Sequence, residues 1–171
     1  MQTVYRSRLI GAGALCLCAA LVDQFTKLQI RAALEVGQSV HLFGTVYLTH
    51  VENTGSVFGL GQGYVLIPTI ATLFILILIP FIVRHLYVRY GYMLTHLEAA
   101  CVGLIAGGAI GNLIDRVTRS AVTDFIDAVL FQGFHWPAFN IADSSVVVGT
   151  LILLAAFMRH GASEAERNAN P

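Results

Sequence analysis

The chain has 171 residues, 56% of them hydrophobic and only 12% charged, with ten basic and ten acidic side chains and a formal net charge of zero. A soluble domain usually carries about a quarter charged residues. The charge balance speaks against a nucleic-acid binder, which needs a basic excess, and the apolar content speaks against intrinsic disorder.

The apolar residues come in four blocks. The first, Leu9 to Val22, is too short to cross a bilayer alone, but it runs into Asp23-Gln24-Phe25-Thr26-Lys27 and predicts a first span over about 9–28. Arg6 and Arg8 ahead of it match the n-region of a signal peptide. No small-x-small cleavage site precedes Asp23, and leucine precedes both Cys16 and Cys18, so an uncleaved span is expected. Residues 29–63 form the longest polar connection. Val40 to Val51 is rich in β-branched and aromatic residues, and Gly44-Thr45 can turn a hairpin between His41-Leu42-Phe43 and Val46-Tyr47-Leu48.

Tyr64 to Val83 is 20 residues without a charge. At about 1.5 Å per residue it covers about 30 Å, the hydrocarbon thickness of a bilayer. Residues 84–96 are expected as a short loop. A third span is expected over 97–115, with Glu98 near its start, and a fourth over 138–158, with Asp143 as its one charge. Between them, residues 116–137 form a second connection in which Ala121 to Leu130 reads as a strand. The tail, 161–171, is polar and expected to be mobile. The expected fold is mainly α: one membrane-embedded domain over 1–171, with four transmembrane helices and a small β-sheet cradle on the membrane surface.

Lys and Arg orient such a chain. With both termini cytoplasmic, that side holds Arg6, Arg8, Arg84, Arg89, Arg159 and Arg167, against Lys27, Arg31, Arg116 and Arg119 outside. Six against four is a modest bias in the positive-inside direction. It strengthens if Lys27 and Arg116 belong to a site rather than to loops. Cys16, Cys18 and Cys101 fall inside apolar blocks and read as small packing residues. No CxxC pattern supports a disulfide framework or a zinc site.

Charged residues within spans are expensive and default to functional hypotheses. Here they gather at one end of the bundle. Asp23 and Lys27 close the first span; Asn112, Asp115 and Arg116 close the third; Asn140 and Asp143 open the fourth. Asp23 and Lys27 are spaced i,i+4, in the favourable acid-before-base order. Asn112 and Arg116 are also i,i+4, and Asn140 and Asp143 are i,i+3, so each pair shares a helix face. Gly103, Gly107 and Gly111 recur every fourth residue, with Gly108 beside them, and let helices approach closely.

Asp124 and Asp127 lie between the third and fourth spans. In a strand, i and i+3 point to opposite faces, so only one would face the bundle. A pair such as Asp124 with Asp143 could then meet at the membrane surface. Two close carboxylates cannot both ionise easily, and the proton they share suits one for acid and the other for base chemistry. Structural salt bridges or caps remain the alternative for any one Asp, and Asp115 beside Arg116 fits it. A proton-relaying transporter predicts polar groups at the midplane and on both sides of it. A purely structural subunit explains the glycines but not polar groups on three helices. HExxH, GxSxG and GxxxxGK[ST] are absent. The six histidines have no ligand spacing, and no Lys or His lies near Ser144 or Ser145 in sequence. No metal and no cofactor are expected.

The chain resembles the lipoprotein signal peptidase (signal peptidase II) family over nearly its full length. Five stretches carry the resemblance, in the family's order: residues 23–27 (Asp-Gln-Phe-Thr-Lys), 53–59 (Asn-Thr-Gly-Ser-Val-Phe-Gly), 107–116 (from Gly107-Gly108 through Asn112 to Asp115-Arg116), 122–125 (Val-Thr-Asp-Phe) and 136–143 (Trp136-Pro137 through Asn140 and Ala142 to Asp143). Ser56-Val57 departs mildly, at positions where small residues are expected. The resemblance implies an aspartic endopeptidase of the bacterial inner membrane, with its active site at the periplasmic face. Its substrate is a prolipoprotein whose cysteine already carries diacylglycerol, and cleavage falls just before that cysteine. By the same resemblance Asp124 and Asp143 are the catalytic dyad, chosen over Asp127 and Asp115. Asn112, Arg116 and Asn140 line the site, and Asp23 and Lys27 support it. Asn53 and Gly55 belong to the sheet that cradles substrate, and Gly108, Asp115 and Ala142 complete the supporting set. Prolipoprotein and membrane lipid are the expected partners, nucleic acid is not, and a monomer is expected.

Overall fold

The first apolar block and the polar residues after it form one unbroken helix, α1 (Gln2–Ala33), longer at both ends than the expected span. In this computed structural model, residues 2–55 and 65–169 are described. Ser56 to Gly59 of the second matching stretch and Tyr64, the expected start of the second span, lie outside the described residues. A two-residue turn at Gly44-Thr45, with Gly44 at φ 52°, joins β1 (Ser39–Phe43) to β2 (Val46–Asn53), as the hairpin reading expects. Only glycine adopts that backbone freely.

Helix α2 (Leu66–Tyr90) has no buried residue. It continues seven residues past Val83, so most of the loop expected over 84–96 is helical. The charges there do not stop the helix. Gly91 does, by turning left-handed (φ 65°) while its N–H reaches the Tyr87 carbonyl and that of Tyr92 reaches Leu86. Helix α3 (His96–Arg119) opens on a capping box: the Thr95 hydroxyl accepts from the Glu98 amide, and the Glu98 carboxylate accepts from the Thr95 amide. It ends at Ser120 in the left-handed region.

Two residues later the chain enters β3 (Val122–Val129), and after a 3-10 turn it returns as β4 (His135–Phe139). The sheet is antiparallel throughout, in the order β1-β2-β3-β4. Helix α4 (Ile141–Ala169) therefore starts three residues later than the expected span, because Ala138 and Phe139 belong to the last strand. An apolar run hides this border; Asn140 marks it. At the other end, α4 carries the backbone of the polar tail as helix to Ala169.

All four helices are long and apolar enough to cross a membrane. Helix α3 is the central one. It packs against α1, α4 and α2, and half of its most apolar window is buried. The glycines permit this. A Cβ on Gly103 or Gly107 would collide with the backbone carbonyls of Ala12 or Cys16 in α1, and one on Gly108 with the carbonyl of Ala142 in α4. The three cysteines are free: Cys101 is buried in α3, Cys16 is half-buried and Cys18 is exposed. Gly108→Ala should force α4 away from α3 and destabilise the bundle by about 1–3 kcal/mol. Thermal unfolding in detergent should show a lower Tm than wild type; an unchanged Tm would contradict this packing.

Candidate active site

The interhelical contacts bring the polar ends of α1, α3 and α4 together beneath the sheet. Lys27 is completely buried there, and its ammonium meets three acceptors: Asp23 at 2.8 Å, Asp115 at 3.2 Å and the Asn112 side-chain oxygen at 2.8 Å. An ammonium has three donors, so the set is complete. Asp23 uses its other oxygen to accept from the backbone amide of Ala142, 2.9 Å away in the first turn of α4. Ala142 is fully buried at this joint, with Gly108 against its carbonyl. Gly111 leaves room for the Asp23 carboxylate, where a Cβ would collide with it.

Because the Asn112 oxygen faces Lys27, its NH2 group points the other way, to Asp143 Oδ1 at 2.8 Å. Asp143 Oδ2 accepts from the Asn140 backbone amide at 3.1 Å, and Asn140 Oδ1 accepts from the Asp143 amide at 2.9 Å. This reciprocal pair is a capping box that starts α4. The Asn140 NH2 group then reaches Asp124 Oδ1 at 2.7 Å and Asn112 Oδ1 at 3.1 Å. Asp124 Oδ2 accepts from Asn53 Nδ2 at 2.9 Å. The Gly55 amide fixes the Asn53 oxygen at 3.0 Å, which turns its NH2 toward Asp124. Thus Asn140 joins Asp124 to Asp143, and among the described residues each of the four carboxylate oxygens accepts one hydrogen bond.

Burial pushes the Asp124 carboxyl up to about 7, and the nearby Asp143 carboxylate pushes the same way. The hydrogen bonds from Asn53 and Asn140 and the charge of Lys27 act against the rise. Arg116 lies within electrostatic reach of Asp143, Asp124 and Asp115 and donates to Thr72 of α2 at 3.3 Å. Arg31 stands 3.6 Å from Asp115. Four carboxylates (Asp23, Asp115, Asp124, Asp143) thus face three cations (Lys27, Arg31, Arg116), and one proton on the Asp124–Asp143 pair makes the cluster neutral.

Asp115 is held by Lys27 and Arg31 and accepts from the Thr123 amide at 3.1 Å, so its role is structural, although its partner is not the adjacent Arg116. Asp127 turns away from the cluster, to His135 at 2.8 Å and Thr49 at 3.0 Å. Gln24, Arg31, Glu52 and Thr123 have no role predicted from the sequence. Gln24 bridges the Gly111 carbonyl and Asp115, and the fully buried Thr123 accepts from Arg31. Gln24 and Thr123 sat inside the matching stretches, which was the available signal. Arg31 and Glu52 read as ordinary connection charges.

A family model described as signal peptidase (SPase) II matches residues 15–159. The chain belongs to the signal peptidase II family. It is 36% identical over 155 residues to the lipoprotein signal peptidase of Halalkalibacterium halodurans, covering 90% of this chain and 96% of that one. It is 39% identical to that of Chlorobium phaeobacteroides (84% and 94% covered) and 37% identical to that of Bacillus subtilis (82% and 86% covered). Two solved structures, each described as a bacterial membrane enzyme structure by the in meso method, share the fold. One has a TM-score of 0.76 at 27% identity, covering 89% of this chain and 90% of that chain; the other has 0.72 at 29%, covering 85% and 91%.

For this member of the signal peptidase II family, the buried Lys27 cluster makes a direct test of the packing. Lys27→Met leaves Asp23 and Asp115 buried without their shared cation, which should cost about 3–5 kcal/mol. Urea or thermal unfolding in detergent checks this, and a loss below about 1 kcal/mol, the scale of a surface pair, would contradict it.

Proposed function

We propose that this protein is a lipoprotein signal peptidase that removes the signal peptide from diacylglyceryl-modified prolipoproteins, with Asp124 and Asp143 as its catalytic carboxylates. The observation that carries this reading is the Asn140 bridge: two carboxylates from different elements are held by one amide side chain and its backbone, and together they balance their surroundings with one proton. Family membership supplies the substrate class.

The division of labour follows from the environments. Asp143 lies in the first turn of α4, where the helix dipole favours an anion. It serves as general base, taking a proton from water as the oxygen attacks the scissile carbonyl. Asp124, protonated up to about pH 7, donates to the carbonyl oxygen. When the tetrahedral intermediate collapses, Asp143 gives its proton to the leaving amine and Asp124 takes one back from a hydroxyl of the gem-diol as the carbonyl re-forms, which restores the starting protonation of the pair. Arg116 offsets negative charge beside the pair. In the proposed orientation both chain ends are cytoplasmic and this cluster is periplasmic, following the distribution of Lys and Arg. Cysteines placed at Leu42, exposed on β1, and at Arg89, exposed near the end of α2, should label from opposite sides of the membrane; labelling of both from the periplasm would refute it.

A lipidated cysteine is pinned near one depth, since each buried methylene contributes about 0.8 kcal/mol. The carboxylates sit at helix ends, at a matching depth. Purified enzyme should release the signal peptide from a diacylated precursor, with kcat/KM at least about tenfold above the unlipidated one, a difference of about 1.4 kcal/mol. Asp124→Asn and Asp143→Asn should each abolish release while the protein still folds, and Asp127→Asn should retain substantial activity. Release by either dyad variant at near-wild-type rate would remove that residue from the mechanism.

The pH dependence has a definite sign. The Asp124 pKa is raised, so its proton is lost as pH rises through about 7. Cleavage should therefore decline on the alkaline side of that value, with kcat/KM giving an apparent pKa that belongs to the dyad. A flat profile between pH 6 and about 9 would contradict the acid role of Asp124.

A further inference from the structure

A concavity opens away from the carboxylate cluster, toward the other end of the bundle. Helices α1 and α2 stand apart over most of their length, with α3 behind them, and leave a cavity of about 710 Å³. Its walls are apolar and include Leu9, Leu76, Ile79 and Ala106. At Gly13 a Cβ would meet nothing within 4 Å. Such a gap inside hydrocarbon does not stay empty, because its lining would forfeit contacts on one side.

Its mouth is polar. Tyr5 of α1 and Tyr87 of α2 stack there, with ring centroids 4.4 Å apart and planes at 12°. Arg84 lines the same mouth, and among the described residues it makes no ion pair and no acidic side chain lines the cavity. Arg84 lies eighteen residues beyond Leu66, the first residue of α2. At about 1.5 Å per residue this is about 27 Å, so the guanidinium sits at the membrane interface opposite the carboxylate cluster.

The geometry points to a binding site for one anionic glycerophospholipid, with an acyl chain between α1 and α2 and the phosphate on Arg84 and the two tyrosine hydroxyls. Charge complementarity selects this occupant. A signal segment of a substrate carries Lys and Arg at its cytoplasmic end and would set like charge against Arg84. A phosphate meets a cation and two hydroxyl donors. In the orientation proposed above, the lipid belongs to the cytoplasmic leaflet. The site does not depend on the peptidase reading.

The test uses the full chain in nanodiscs holding equal amounts of phosphatidylglycerol and phosphatidylcholine, followed by exchange into detergent and native mass spectrometry. Wild type should retain one lipid, with phosphatidylglycerol favoured about fivefold, as one interfacial arginine warrants. Arg84→Gln should lose that preference. Gly13→Phe, which fills the groove, should retain neither lipid. Arg89→Gln, outside the cavity, should behave as wild type. Equal retention of the two lipids by wild type, no retained lipid, or an unchanged preference in Arg84→Gln overturns the proposal. A parallel assay of precursor cleavage separates the rival occupant: a tenfold rise in KM for Gly13→Phe with phosphatidylglycerol still retained would assign the groove to the substrate's signal segment.

Discussion

The buried ammonium of Lys27 is the contact on which the rest of the site depends. Burying an ion costs several kcal/mol unless every donor is matched. Here three donors meet three acceptors drawn from α1 and α3. Asp23, one of the three, also receives the first-turn amide of Ala142, so α4 is held by the same group. The registers of three helices are therefore coupled. A shift of any one by a residue would leave a charge or an amide unpaired in a place water cannot easily reach.

Orientation passes outward from that ammonium through two amides. Lys27 takes the oxygen of Asn112, which leaves its nitrogen for Asp143. The Asn140 oxygen caps α4, which leaves its nitrogen for Asp124. Neither amide can flip without placing donor against donor. Preorganised donors of this kind need no rearrangement when charge moves, and such preorganisation is a large source of rate acceleration in enzymes. Asp143 is in a helix's first turn, while Asp124 is on a buried strand and, among the described residues, accepts from the amides of Asn53 and Asn140, so the two carboxylates also differ in setting.

The sheet brings Asp124 to the helices. Helix α3 runs into β3 through two residues, and β4 runs into α4 through Asn140 alone. These short joints fix the sheet on the bundle end. The β2–β3 pairing, in which Asn53 aligns with Val122 and Val51 with Asp124, brings the Asn53 amide to the Asp124 carboxylate. Glu52 adds to this clamp: its Oε1 accepts from His50 and Arg119 at 3.1 Å each and from Thr123 at 3.4 Å.

The sequence alone determined the four spans, the Gly44-Thr45 hairpin, the β3 strand and the end of the bundle where charge collects. Each rests on local information: unbroken apolar length, β-branched runs, turn residues, and the cost of a charge in hydrocarbon. The motif stretches named the family, and the family match over 15–159 agrees. Helix ends were less legible. Gly91 and Asn140 set them through backbone capping, which composition does not register, so the second span ran longer and the fourth began later than expected. Pairings were not legible at all. Asp115 beside Arg116 in sequence is held instead by Lys27 and Arg31, and Asp127 leaves the cluster for His135 because strand alternation turns it away. Local spacing tells which residues share a face. Which faces meet is decided by long-range packing, here by glycines that let α3 touch α1 and α4 and by a buried lysine that needs all its partners at once.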